Sequence, residues 1–93
     1  MNEQLFQFIW RFRYFNAAAL TTIQGDAVDV IETGILNTHQ GPDFSNARIR
    51  IGQTVWAGSV ELHIRSSDWN KHGHQTDHHY DRVILHVVWE HDS

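Results

Sequence analysis

The feature that most constrains this sequence is a run of alternating residues that is interrupted by one glycine turn. In residues 47–51, ARIRI, apolar side chains alternate strictly with arginines, which is the two-residue period of a strand with one buried face. Gly52 and Gln53 then provide a tight turn into a second run, TVWAGSVELHIRS, over residues 54–66. The pattern predicts a β-hairpin, around which the rest of the chain has to build its core.

Two further strands are predicted on either side of this hairpin. Residues 27–36, AVDVIETGIL, indicate a first strand in which Gly34 marks a bulge. Residues 82–90, RVILHVVWE, are almost continuously apolar, as in a strand that is buried on both faces. About sixteen residues separate this last strand from the hairpin, which is enough for a crossover. Within it, Ser67 and Gly73 are suited to begin and end a short helix.

A helix is predicted at the start of the chain, over residues 2–15. Leu5, Ile9 and Phe12 fall on one helical stripe, which is typical of a helix that packs on a core. The segment has more aromatic side chains than one face can hold: Phe6, Phe8, Trp10, Phe12, Tyr14 and Phe15. We therefore expect the helix to pack on two sides, or to contact a missing C-terminal region or a second copy of the chain.

The resulting fold prediction is an α/β (α+β) domain: an N-terminal helix, a three-stranded antiparallel meander, a short crossover and a fourth strand. A chain of 93 residues suits a single domain over residues 1–93. Its hydrophobic fraction of 41% is too high for a disordered protein. No apolar run approaches the roughly 20 residues that a membrane helix needs, so we expect no membrane contact.

Charge and cysteine content narrow the functional classes. The formal net charge of -4 argues against non-specific binding of a polyanion, because such binding depends on lysine and arginine. The eight histidines would offset this charge below about pH 6.5, so any nucleic-acid binding should strengthen as the pH falls. Since there is no cysteine, disulfides and thiolate zinc sites are excluded, which favours the cytoplasm.

Two acidic residues stand at the hairpin. Asp43 follows Pro42 at the entrance of the first hairpin strand, and Glu61 lies in the middle of the second. Such a pair suits a hard cation such as Mg²⁺, which commonly takes one or two protein carboxylates. His63 lies two residues beyond Glu61 and shares its face. Each acid also has an ordinary alternative, a turn residue for Asp43 and an ion pair across the hairpin for Glu61. The arginines considered for that ion pair are Arg48, Arg50 and Arg65.

The order of elements, with GPD entering the second strand and ELH on the third, resembles the PD-(D/E)XK nuclease superfamily. The resemblance implies a restriction-endonuclease-like core, with Asp43 and Glu61 as ligands of Mg²⁺ or Mn²⁺. His63 takes the position of the family's lysine and can act as a base when it is neutral. Lys71, in the predicted crossover, is a second candidate for the catalytic role of that lysine.

This resemblance implies a metal-dependent hydrolase that cleaves phosphodiester bonds in nucleic acid. The histidine in place of lysine leaves two outcomes open, a working variant and a site that has lost activity. The alternative is a non-catalytic scaffold or interaction module of the same fold, in which the aromatic helix recruits other domains or subunits. That alternative predicts no divalent-metal binding and no convergence of Asp43 with Glu61.

Longer phrases distributed along the whole chain resemble a second family. They are LFQFIW, GPDFSNARIRIG, GSVELHIRSSDW and YDRVILHVVWEHD. They are similar to the N-terminal part of an uncharacterised bacterial family, domain-of-unknown-function family twenty-eight fifty-one. Because members of that family are considerably longer, the resemblance implies that the chain is an N-terminal fragment. It implies no activity.

The remaining histidines form one cluster and one isolated case. The stretch HGHQTDHHYD contains side chains that can ligate Zn²⁺: His72, His74, Asp77, His78, His79 and Asp81. A solvated, histidine-rich loop is the favoured interpretation, because the spacing follows no recognised zinc motif. His86 lies within VILHVV, where a core histidine with one hydrogen bond is favoured. A site role would gain support if His86 shared the face of Glu61 and His63.

Overall fold

A computed structural model describes residues 1–68 and 78–90 of the protein. Within these residues the chain begins with a helix, α1, and continues into five strands, with short 3₁₀ helices at Ala17–Ala19 and His78–Tyr80. The bounds of these elements are α1 Glu3–Arg11, β1 Val28–Glu32, β2 Ile35–Leu36, β3 Phe44–Ile51, β4 Thr54–Arg65 and β5 Val83–Glu90. Among the described residues, no helix is long and apolar enough to cross a membrane.

The strands form one mixed sheet in the order β1-β3-β4-β5, with the short β2 also paired to β3. The β1–β3, β2–β3 and β3–β4 pairs are antiparallel, and β4–β5 is parallel. The mixed α+β class, the N-terminal helix and the hairpin are therefore confirmed. The predicted first strand is divided in two at Gly34, so the sheet has five strands instead of four. The helix predicted between Ser67 and Gly73 falls largely outside the described residues.

The last strand differs from its prediction in how it is covered. Its apolar sequence indicated burial on both faces, but residues 83–88 are only partly buried and the end of the strand is exposed. The reason is its place in the sheet, because β5 lies at one end of the strand order and pairs with β4 alone on that path. The apolar run therefore predicted the strand correctly, but it did not predict that the strand lies at the end of the sheet.

The core lies between α1 and the sheet. From α1 it takes Phe6 and Trp10, which are one helical turn apart, and it includes both hairpin strands. Its buried members are Phe6, Trp10, Val28, Val30, Phe44, Ala47, Ile49, Val60 and Leu62. The inward positions predicted for Ala47 and Ile49 are confirmed.

The stripe predicted from Leu5, Ile9 and Phe12 was the wrong one to place in the core. Leu5 and Phe12 are about half exposed, whereas Trp10 is 1% exposed and stacks on Phe15. A buried indole needs an acceptor for its N–H, and Trp10 finds one in the Thr33 carbonyl oxygen at 3.0 Å. Because aromatic residues lie on every side of α1, the sequence offered several apolar stripes. The stripe that is buried contains Trp10, the residue that makes this hydrogen bond.

The ends of α1 are fixed by side chains. Asn2 accepts a hydrogen bond from the Leu5 backbone N–H at 2.8 Å and caps the first turn. The helix ends at Arg11, earlier than predicted, and Arg13 follows with a positive φ of 60°. The Arg13 guanidinium donates to the carbonyl oxygens of two consecutive β1 residues, Val30 and Ile31, at 2.6 and 2.9 Å. These bonds tie the end of the helical segment to the sheet.

Gly34 provides a test of the close packing beside β3. Gly34 and Gly25 have almost the same positive φ, 96° and 94°. A Cβ at Gly34 would lie 2.7 Å from the Ser45 carbonyl oxygen, whereas a Cβ at Gly25 would meet nothing within 4 Å. We expect Gly25→Ala to cost about 1 kcal/mol for its backbone conformation, and Gly34→Ala to cost about 1–3 kcal/mol more. Urea unfolding measures both, and equal losses would contradict the expected close approach.

Candidate metal and catalytic site

Asp43 is positioned by the loop that precedes β3. The Asn37 side-chain amide donates to the carbonyl oxygens of Gln40 and Pro42, at 3.1 and 3.0 Å. The Asn37 backbone N–H donates to the Asp43 carbonyl oxygen at 2.8 Å. Bonds of this kind let asparagine order a turn. They fix the backbone of Asp43 at the point where β3 begins.

The Asp43 carboxylate bridges α1 and β4. Its Oδ1 accepts a hydrogen bond from the Gln7 side-chain amide at 2.8 Å. Its Oδ2 accepts from the Leu62 backbone N–H at 2.9 Å. Asp43 therefore points towards β4, beside Glu61, and reaches residues that are far from it in sequence. This long-range role differs from that of a local turn residue, the alternative considered from the sequence.

Glu61 is buried beside this carboxylate. Its side chain lies on the central strand β4, and the residue is only 5% exposed. Burial raises the pKa of Glu61 to about 10, and a hydrogen bond with Asp43, the Asp43 charge and the Glu3 charge act in the same direction. A hydrogen bond from the Leu62 backbone opposes the rise. Glu61 is consequently protonated at neutral pH, and its carboxyl group lies next to that of Asp43.

Two of the hairpin arginines considered as partners of Glu61 reach other acids. Arg50 lies 3.7 Å from Asp29 on β1, and Arg65 lies 4.0 Å from Glu90 on β5. Both pairs are well exposed and contribute little to stability. The polar face predicted for Glu61 is therefore divided into an exposed part that carries arginines and a buried part at the site.

The buried His63 and the partly buried His86 complete the site. His63 is 2% exposed, and its Nε2 lies 3.8 Å from Oε1 of Glu61. Its other nitrogen, Nδ1, is hydrogen-bonded to Nε2 of His86 at 2.5 Å. In the parallel β4–β5 pair, His86 is the register partner of Glu61. The condition set from the sequence for a site role of His86 is thus met.

Two carboxylates are the protein ligands that this arrangement offers to a cation. Within the described part of the chain, no three His, Cys, Asp or Glu side chains form a group that would hold a metal ion. A cation at Asp43 and Glu61 would need water and substrate phosphate as its other ligands, which is the usual coordination of Mg²⁺. The donor set fits a hard divalent cation in its chemistry.

The other candidate residues are exposed or lie outside the described residues. His78 and Asp81 are both exposed, with Nδ1 and Oδ2 3.3 Å apart, as expected for a solvated loop. Lys71 and part of the histidine-rich stretch lie outside the described residues, namely His72, His74 and Asp77. The roles predicted for them stay predictions.

Sequence reasoning missed one residue of the site and undervalued another. Gln7 gave no signal, because a glutamine on an amphipathic helix is ordinary and its bond to Asp43 spans 36 positions. His86 did give a signal, as a polar residue inside an apolar strand. Only the register of β4 with β5 shows that it faces the site.

Comparisons with known proteins identify a family. A family model described as a protein of unknown function, DUF2851, matches residues 3–93. No curated protein and no solved structure gave a significant match. The longer phrases noted in the sequence agree with this result, whereas the comparisons add nothing for the nuclease resemblance. The chain belongs to the DUF2851 family.

Proposed function

We propose that this domain hydrolyses phosphodiester bonds in nucleic acid, with a divalent cation held by Asp43 and Glu61. The observation that carries the proposal is the hydrogen bond between the partly buried Asp43 and the buried Glu61, whose pKa is raised to about 10. Strongly perturbed acids of this kind concentrate at functional sites. Two adjacent acids, one of them buried, are unfavourable in the absence of a positive charge, and a bound cation would supply that charge.

The residues fit Mg²⁺ or Mn²⁺ because both are hard ions that accept paired carboxylates. When bound, such a cation supplies a lowered pKa for a water molecule and stabilises negative charge that develops on phosphate. Its binding would require Glu61 to give up its proton. We therefore expect about one proton to be released per cation near pH 7.

His63 is the residue that would accept the proton of the attacking water. Its Nε2 faces Glu61 at 3.8 Å, and its ring is held in a buried position. In this step the water loses a proton to Nε2, its oxygen bonds to phosphorus, and the phosphorus bond to the leaving oxygen breaks. The leaving oxygen takes a proton from solvent. Lys71 remains a second candidate for stabilising the phosphate charge.

Cleavage and metal-binding assays on the full-length protein test this function. We expect Mn²⁺- or Mg²⁺-dependent cleavage of single- or double-stranded DNA or RNA, with a loss of about 100-fold or more in Asp43→Asn and Glu61→Gln. The matched control is Asp29→Asn, because Asp29 is an exposed acid on the same sheet that pairs with Arg50. The control should cleave like the wild type.

Calorimetry in two buffers of different ionisation enthalpy gives the cation affinity and the number of protons released. Both variants should lose cation binding, and Asp29→Asn should keep it. Undiminished cleavage by both Asp43→Asn and Glu61→Gln, or a wild type that binds neither Mn²⁺ nor Mg²⁺, would contradict the proposal.

A second candidate function, an interaction module, is favoured by an exposed aromatic cluster on α1 and the turn after it. Phe8, Phe12 and Tyr14 are each half or more exposed. The Phe8 and Tyr14 rings stack at 5.5 Å, and the Phe8 and Phe12 rings lie 4.9 Å apart. Sedimentation equilibrium of the wild type and of Phe8→Ser tests for self-association through this cluster. On this alternative, association depends on Phe8 and the protein binds no divalent cation.

A further inference from the structure

We propose that His86 is a positioning residue for His63, which it holds so that Nε2 of His63 faces Glu61. The consequence for catalysis rests on the proposed function, whereas the positioning itself does not. Two features carry the inference: the contact between the rings and the strand register that places them.

The two imidazole rings meet edge to face. Nε2 of His86 lies 2.5 Å from Nδ1 of His63, and the ring centroids are 4.4 Å apart with an interplanar angle of 88°. The His63 side chain is almost fully buried. A buried ring that is hydrogen-bonded at one nitrogen cannot turn over without losing that bond. His63 is therefore held in one orientation.

The backbone places His86 where it can do this. In the parallel β4–β5 pair, Glu61 is opposite His86 and His63 is opposite Val88. Side chains alternate along a strand, so Glu61, His63 and His86 lie on one face of the sheet. The positioning contact thus follows from strand register.

The proposed positioning role also predicts which nitrogen of His63 carries the proton. A bond between two imidazole nitrogens needs one donor and one acceptor. When Nδ1 of His63 donates to His86, Nε2 of neutral His63 keeps its lone pair, and this nitrogen lies 3.8 Å from Oε1 of Glu61. This tautomer is the one that can accept a proton from water. Neighbours of this kind commonly fix the tautomer of a functional histidine.

Nuclear magnetic resonance of the wild type tests the positioning directly. In ¹⁵N-labelled protein we expect a coupling between Nδ1 of His63 and Nε2 of His86 across the hydrogen bond. We also expect the ring shifts of His63 to show a proton on Nδ1 and none on Nε2. Absence of the coupling, or a proton on Nε2 of neutral His63, would overturn the inference whether or not any variant folds.

Two substitutions separate positioning from simple packing. His86→Phe keeps the ring volume and removes the hydrogen bond, so the His63 shifts should move to the average of two tautomers. His86→Gln retains an amide acceptor, so it should keep Nδ1 protonated. Unchanged His63 shifts in a folded His86→Phe protein would contradict the proposed role.

Kinetics then distinguish this inference from the proposed function. If the protein cleaves nucleic acid, His86→Phe should lower kcat by about 10- to 100-fold with little change in KM, and His86→Gln should recover part of the loss. Cleavage with an unchanged kcat in His86→Phe would overturn the positioning role and leave the function standing. If neither the wild type nor the variants cleave nucleic acid, the proposed function is wrong. The resonance data would still show whether the hydrogen bond between His63 and His86 forms.

Discussion

Replacing Glu61 with glutamine is expected to stabilise the cation-free protein at neutral pH, by an amount that grows as the pH rises. The folded protein holds the Glu61 proton up to a pKa of about 10, whereas the unfolded chain releases it near the ordinary value of 4.5. Between these values the unfolded state binds fewer protons, so the free energy of unfolding falls by about 1.4 kcal/mol per pH unit. Glutamine has no proton to lose and removes this dependence.

The sign and size of this effect can be checked by urea unfolding at pH 5, 7 and 9 in the presence of a chelator. The stability contributed by the raised pKa is fully present below pH 4.5 and is lost as the pH rises towards 10. We expect the free energy of unfolding of Glu61→Gln to exceed that of the wild type by about 3 kcal/mol at pH 7 and by less at pH 5. This difference corresponds to roughly 10–20 °C in Tm for a domain of this size.

Glu32→Gln is the matched control, because Glu32 is an exposed acid at the end of β1. Its unfolding free energy should follow that of the wild type at every pH. Saturating Mn²⁺ should reduce or reverse the advantage of Glu61→Gln, since the cation stabilises only a protein that can bind it. Parallel pH profiles for the wild type and Glu61→Gln would show that Glu61 is not held protonated.

Trp10→Ala is expected to cost about 3–5 kcal/mol, which is enough to unfold much of a small domain. Trp10 is 1% exposed, stacks on Phe15 at 5.6 Å and donates to the Thr33 carbonyl oxygen. Alanine would lose this packing and leave a cavity between α1 and the sheet. The loss also reaches the site, because the same helix presents Gln7 to Asp43.

Thermal unfolding of three variants measures this contribution. Trp10→Phe keeps a ring for stacking and loses the N–H donor, so it should fall between Trp10→Ala and the wild type. Phe12→Ala removes an aromatic ring from the helix end at a half-exposed position and should cost less than about 1 kcal/mol. Equal losses for Trp10→Ala and Phe12→Ala would contradict the placement of the core.

The parts of the fold that could be predicted from the sequence are those that local patterns determine. The hairpin was predictable because alternation and a Gly-Gln turn act over a few residues. The crossover was predictable because its length exceeds that of a hairpin. The buried face of α1 was not, since aromatic residues surround the helix and only the sheet selects Phe6 and Trp10. The partial exposure of β5 likewise follows from strand order.

The candidate site shows the same division. Asp43, Glu61 and His63 belong to one hairpin and its entrance, so sequence spacing could indicate that they lie close together. The low exposure of Glu61 and its raised pKa could not be read from alternation, because that pattern assigned it to a polar face. Gln7 and His86 reach the site from elements distant in sequence. Their contribution depends on how α1 and β5 are placed against the hairpin.

The parallel pairing of β4 with β5 has a consequence for the order in which the protein assembles. The two carboxyl groups come from a hairpin and its entrance, whose contacts are comparatively local, whereas His86 comes from a strand that pairs only after a crossover. Non-local, parallel pairings form slowly because loop closure precedes their stabilising contacts. We expect Asp43 and Glu61 to approach each other early during folding, while the support for His63 is completed last. The carboxyl groups of Asp43 and Glu61 would thus meet before His86 is in place to hold the His63 ring.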